Sequence, residues 1–216
     1  MIETFWLEPT DRERRFLRRH GKGPCPPGAS GFSYHNAQLR IEDGPFQLSQ
    51  RKGDERPYHY SPDPRTPPYV TDQRWLQIAR CSCGHEFTSA DPFQIFTEAI
   101  YTRRDTGEET TIRDAPAGAL WVAWWMPDRW QGDDGQSVAC KLPGGHSWLI
   151  DHQASNCTRP GEQHHCWVRH GTVGDRLTVD KNGNTCAAGG GSIWVHKPVE
   201  WHGFLREGFL KETSEV

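Results

Sequence analysis

The sequence predicts an α+β fold, with one main helix over 91–103 beside a small twisted antiparallel sheet of short strands, many loops and a zinc staple. Three observations lead there. Leu, Ile, Val and Phe make up only about 17% of the chain, near the range of disordered sequences. Ten tryptophans and a formal net charge of only −3 argue instead for a folded, aromatic core, since each indole can bury roughly 200 Å². One clear helix signal is followed by many short apolar runs bounded by Gly, Pro and Asn, and 22 Gly with 16 Pro keep regular elements short.

Taken along the chain, Asp11 caps a short helix through Arg19, with Phe16 and Leu17 as its apolar anchors. Ala37, Leu39 and Ile41 alternate with polar residues, the mark of a half-buried strand. Five prolines between residues 57 and 69 make a linker with polyproline character. It divides a loop-rich N-terminal segment, 1–70, from a main domain, 71–216. Trp75–Arg80 reads as a strand entering Cys81. Asp91 as N-cap, Pro92 at the first helical position and Phe93, Phe96 and Ile100 on one face predict the main helix.

Short strands follow. Ser137–Leu142 and Ser147–Asp151 flank Pro143-Gly144-Gly145-His146 as a hairpin, and Cys166–His170 is a further strand. Leu177–Asp180 and Thr185–Ala187 flank Asn182-Gly183, a strong hairpin signal. Ile193–Val195, His202–Leu205 and Phe209–Leu210 complete the set. Trp121, Trp124, Trp125 and Trp130 are read first as core filling in a chain short of aliphatics, with stacking on bases or sugars as the alternative.

The cysteines and histidines carry the chemistry. Cys140, Cys157 and Cys166 lie close to His146, His152, His164, His165 and His170, and Cys81-Ser82-Cys83-Gly84-His85 forms a second knot upstream. Thiolate and imidazole are ligands that Zn²⁺ prefers. Seven cysteines cannot all pair within one chain, and Met1–Pro9 is no secretory signal, so metal is favoured over disulfide. The expected ligands are Cys81 and Cys83 with Cys157, Cys166 and His170 as one zinc site. Cys81-x-Cys83 departs from the usual Cys-x₂₋₄-Cys spacing. On a straight strand Cys166 and His170 would stand about 13 Å apart, so a turn is needed to join them. The competing reading makes these thiols small buried hydrophobes.

A second arrangement sets His146 as base, Asp151 as orienter and Cys157 as thiolate nucleophile. Zinc-deaminase, His-Glu-x-x-His, Walker A, Gly-x-Gly-x-x-Gly and Gly-x-Ser-x-Gly patterns are absent from the sequence. The basic stretch from Arg12 to Lys22, broken by Glu13, reads as a solvated face, with a local phosphate contact as the alternative. No run approaches the ~18 apolar residues of a membrane span.

Several segments are similar to proteins of a family of unknown function from actinobacterial phages and prophages. They are Pro143–Asp151 with its Gly-Gly-His-x-Trp core, Ala154–Thr158, Cys166–Gly171 and Val179–Gly183. Ser192-Ile193, His202–Arg206 and the opening Trp6–Thr10 extend the likeness. The family brings no activity or site residue. It implies a small phage-type accessory protein, in the host cytoplasm or associated with the virion, that binds a host or phage macromolecule. A zinc- or cysteine-dependent hydrolase or transferase with its site near His146 and Cys157, and a virion structural protein, are the alternatives.

Overall fold

The computed structural model describes residues 1–26, 34–45, 48–50, 57–59, 78–88, 91, 93–159, 164–183, 186, 193–195 and 200–215. Their regular structure consists of fifteen β-strands and two three-residue 3-10 turns, at Asp128–Trp130 and Thr213–Glu215. The strands are β1 Ile2–Glu3, β2 Phe5–Pro24, β3 Tyr34–Pro45, β4 Leu48–Gln50, β5 Pro57–His59, β6 Phe93–Arg103, β7 Glu109–Thr111 and β8 Ala119–Val122. They continue as β9 Val138–Lys141, β10 Ser147–Leu149, β11 Val168–His170, β12 Thr178–Asp180, β13 Ile193–Val195, β14 Trp201–Arg206 and β15 Phe209–Glu212. No described helix is long and apolar enough to cross a membrane.

The protein is therefore nearly all β, and the α+β expectation is overturned at both expected helices. Asp91 does not cap forward into 91–103. Its carboxylate accepts instead from the preceding Thr88, 2.7 Å from the amide and 3.1 Å from the hydroxyl. The segment that follows, Phe-Gln-Ile-Phe-Thr-Glu-Ala-Ile-Tyr-Thr-Arg, is rich in β-branched and aromatic residues and forms β6. At Asp11–Arg19 the cross-strand partner decides. Residues 12–24 of β2 pair antiparallel with β3, which sets Arg14 opposite Asp43 and Arg15 opposite Glu42. Arg14 Nε lies 3.6 Å from the Asp43 carboxylate and Arg15 Nη1 3.2 Å from that of Glu42. Opposite charges across a ladder favour the strand over a helix with a bare cationic face.

The chain divides into two compact units, one of Met1–Glu8 with Tyr101–Val216 and one of Pro9–Ile100. In the second unit β2 and β3 pack Leu17, Ile78 and Ile95 against Ala37, Leu39 and Ile41, the face expected of that strand. Glu13 is fully buried and sits 2.6 Å from Arg15 Nε. Arg18 and Arg19 lie over the rings of Phe96 and Phe87. Much of the basic run is thus engaged within the unit. Pro57–His59, inside the expected linker, pairs with β4, while 60–69 lie outside the described residues. The strand expected at Trp75–Arg80 is described only from Ile78, where Arg80 makes an isolated bridge to Glu86.

In the other unit an antiparallel sheet runs in the order β1-β15-β14-β13. β10, β9 and β8 form a meander that continues, parallel, onto Phe5 and Trp6 of β2. The β9–β10 turn is the expected Pro-Gly-Gly-His hairpin, with Gly144 and Gly145 at φ +82° and +85°, where a Cβ would be strained. β12 pairs with β11. The other strand expected beyond Asn182-Gly183 is described only at Cys186, which lies in no strand. The core joins Trp6, Trp148, Trp167 and Trp201 to Leu120, Ile150, Leu177 and Leu205. Trp121 is buried as core filling, but Trp124 and Trp125 stand exposed.

Removing one partner of a buried ion pair strands the other charge. Glu13→Gln should lower stability to urea by about 3 kcal/mol, with the Arg15→Gln, Glu13→Gln double variant less destabilised than the two single losses added.

Candidate metal centres

Two groups of four side chains each bring one ligand atom within 4.8 Å of all the others: Cys25, His35, Cys81 and Cys83, and Cys157, His164, Cys166 and Cys186. All seven cysteines are free thiols, and the remaining one, Cys140, is fully buried in the core, where burial pushes its thiol upward. Either group could hold a metal ion.

The first centre grows from the β2–β3 pairing. Opposing Pro24 to Tyr34 and Gly21 to His35 places Cys25, just past the end of β2, and His35 at the same end of the ladder. The knuckle comes from a tight turn: Gly84 N–H donates to Cys81 O and Cys81 N–H to His85 O, both at 2.9 Å. Gly84 holds φ +92°, which lets the single intervening Ser82 suffice between the thiols. Cys25 and Cys81 sulfurs are 3.8 Å apart, and His35 Nδ1 lies 3.2 Å from Cys83 Sγ. Two sulfurs bound at 2.3 Å to a tetrahedral zinc would be about 3.8 Å apart. His85 stacks on His35 with ring centroids 3.9 Å apart, and a Cβ at Gly21 would stand 2.7 Å from His85 Nε2. The glycine makes room for the stacked pair.

The second centre is built by loops around β11 and β12. Cys157 Sγ lies 3.2 Å from His164 Nε2 and 4.0 Å from Cys186 Sγ. Cys166 Sγ lies 3.7 Å from the same imidazole nitrogen and 3.4 Å from Cys186 Sγ. All these separations fall within a few tenths of an ångström of tetrahedral edges about 3.6–3.8 Å long. The Ala154–Thr158 stretch contributes twice, with Cys157 as a ligand and the Ala154 N–H as a donor to Cys166. The Arg159 N–H lies 3.4 Å from Cys157 Sγ, and the Gln153 amide 3.4 Å from His164 Nδ1. Groups of this kind orient metal ligands from behind.

The centres differ electrostatically. At Cys81 burial pulls the thiol upward, but the N–H groups of Cys83 and Asn36 and the side chains of Cys83 and Cys25 outweigh it and bring it down to about 6. At Cys166 burial dominates, opposed by the Ala154 N–H and reinforced by Cys186 and Cys157, and the thiol is pushed up to about 12.

Of the residues expected to bind one zinc, Cys81 and Cys83 fall in the first centre and Cys157 and Cys166 in the second. His170 is in neither. It is exposed on β11 with Nε2 2.8 Å from Asp180. The residues of the expected nucleophilic triad have separate roles. His146 is exposed in the β9–β10 turn. Asp151 is buried, accepts from Val138 N–H at 2.8 Å and pairs with Arg169 Nε at 3.0 Å. Burial raises its carboxyl, with Arg169 pulling the other way. Cys157 faces His164. Cys25, His35 and Cys186 were missed in the sequence because no local spacing marks them. His164 was visible there only as one of several nearby histidines.

A cavity of about 900 Å³ lies beside the second centre, with His164, His165, Asp134, Asp151 and Arg169 in its wall. Arg169 is nearly buried and makes a two-pronged pair with Asp134 at 2.8 and 3.0 Å. That pairing pulls the Asp134 carboxyl downward.

Comparison of the chain with protein-family models, with curated proteins and with solved structures finds no match.

Metal binding needs thiolates, so a thiol of high pKa must surrender its proton on binding and affinity falls as pH falls. At pH 7 the second centre should release more protons per bound cation than the first. Cobalt titration calorimetry of Cys81→Ser and Cys166→Ser, each retaining one centre, in buffers of different ionisation enthalpy counts those protons. Equal counts would contradict the assignment.

Proposed function

We propose that this is a zinc-stabilised accessory protein of the actinobacterial phage type, which acts by binding a host or phage macromolecule, and that both of its zinc ions are structural. One observation carries the metal part of this reading: each centre supplies four protein ligands, three thiols and one imidazole, in a compact set. A Cys₃His shell fills a tetrahedral ion and leaves no position for an activated water, as structural zinc sites do and hydrolytic ones do not. Borderline-soft Zn²⁺ suits such a shell, whereas Mg²⁺ and Ca²⁺ demand oxygen.

The cavity beside His164 favours a second reading, in which the second zinc gives up a ligand and acts on a substrate held near Arg169 and Asp134. Cys166, Cys186 and His164 are all buried, which favours a closed shell over an exchanging one.

Elemental mass spectrometry of the purified protein should find about two zinc ions per chain, the number of four-ligand groups. Cys81→Ser and Cys166→Ser should each lose one and keep the other. Loss of both ions in either variant would mean one shared site, and no zinc in the wild type would defeat the reading.

A further inference from the structure

Among the described residues, the β13-β14-β15 strands bury one face and leave the other partly exposed. Ile193, Val195, Trp201, Leu205 and Leu210 turn into the core. Strand alternation sends Trp194, His202, Phe204, Arg206, Phe209 and Lys211 the opposite way. The register agrees, pairing Trp194 with His202, Phe204 with Lys211 and Arg206 with Phe209. Trp194 is 58% exposed, the most exposed tryptophan among the described residues. Its ring stacks on His202 at 5.6 Å between centroids. Arg206 sits over Phe204 at 4.7 Å, and Arg176 over Phe209 at 5.4 Å. The face is thus a diagonal of aromatic rings, each of its phenylalanines accompanied by a guanidinium.

From this arrangement we infer that the partly exposed face of β13-β14-β15 binds single-stranded nucleic acid. The inference rests on the macromolecule-binding part of the proposed function and names the class of partner. Bases splayed from a single strand stack on aromatic rings and on guanidinium planes, and sheet faces bearing such rings are a recurrent platform for them. Successive outward residues along β14 stand about 7 Å apart, giving His202, Phe204 and Arg206 as consecutive stations. A duplex keeps its bases stacked inside and would leave these rings without bases to stack on.

Charge complementarity agrees at short range. Arg206 and Lys211 flank the rings, and two of the acids nearby are held in ion pairs, Glu3 3.2 Å from Arg176 and Glu207 4.0 Å from Lys211. Surface pairs of this kind are weak and yield to phosphate. Stacking therefore supplies most of the affinity. Two to three phosphate contacts give a shallow salt dependence, with a log–log slope of about −2.

The test is fluorescence anisotropy with labelled twelve-nucleotide oligo(dT) and oligo(rU) on the zinc-loaded full chain. The wild type should bind in the micromolar range with that shallow slope. Trp194→Thr and Phe204→Thr should each weaken binding about tenfold, the loss of one stacked base. Trp125→Ser, an exposed tryptophan on the β8–β9 connection, should leave binding unchanged. Crosslinking of wild-type protein to oligonucleotides carrying 4-thiouridine should map to peptides within 193–211, a readout independent of whether the variants fold. Absence of binding, crosslinks confined to other segments, or equal affinity for poly-Glu lost in the same variants would overturn the inference, the last in favour of an acidic protein segment. Zinc content measured on the same samples reports separately on the metal centres, so either reading can fail without the other.

Discussion

Six of the seven cysteines and two histidines gather into two largely buried groups, in each of which the ligand atoms all lie within 4.8 Å of one another. Thiols placed at such separations are poorly accommodated without a cation. Ionised, they repel one another in a low-dielectric setting. Protonated, they bring only weak hydrogen bonds into space that aliphatic side chains would fill better. A divalent ion bound there would resolve the conflict by neutralising two of the three negative charges and tying four points of the chain together. The turn at Gly84, the stacked imidazoles beside Gly21 and the Ala154–Thr158 loop that serves two ligands all make sense as supports of that arrangement.

A metal in each centre would offset the shortage of aliphatic side chains in this chain. Structural zinc contributes about 10–16 kcal/mol in small domains, whereas the net stability of a whole domain is about 5–15 kcal/mol. The first centre joins positions 56 residues apart and the second joins positions 29 apart. Each closes its span within one unit, Pro9–Ile100 for the first and Tyr101–Val216 for the second. The tryptophan core of the larger unit and the Glu13–Arg15 pair of the other would act together with a metal bound in each unit.

Local signals in the sequence are informative where both partners lie close together. The β9–β10 hairpin and the half-buried face of β3 are set by residues within a few positions of each other, and both form. The Cys81 knot was legible as a metal knuckle for the same reason. The failures share one cause. Asp11–Arg19 and 91–103 carry helix signals along the chain, yet their partners lie across a sheet: Glu42 and Asp43 for the first, the neighbouring β2 strand for the second. Cys25, His35 and Cys186 likewise acquire meaning only once β2 has paired with β3 and the loops beyond β11 and β12 have closed. His170 has an acceptable spacing from Cys166, but β11 stays extended and carries it to Asp180 instead.

The most direct test of two closed structural centres is X-ray absorption at the zinc edge, which reports the number, identity and distance of the atoms bound to the metal. An average shell of three sulfurs at about 2.3 Å and one nitrogen at about 2.0 Å, unchanged between the wild type and the variants that keep a single centre, is the expected result. A shell containing oxygen, or a coordination number other than four in either centre, would contradict the structural assignment and point to an ion open to solvent.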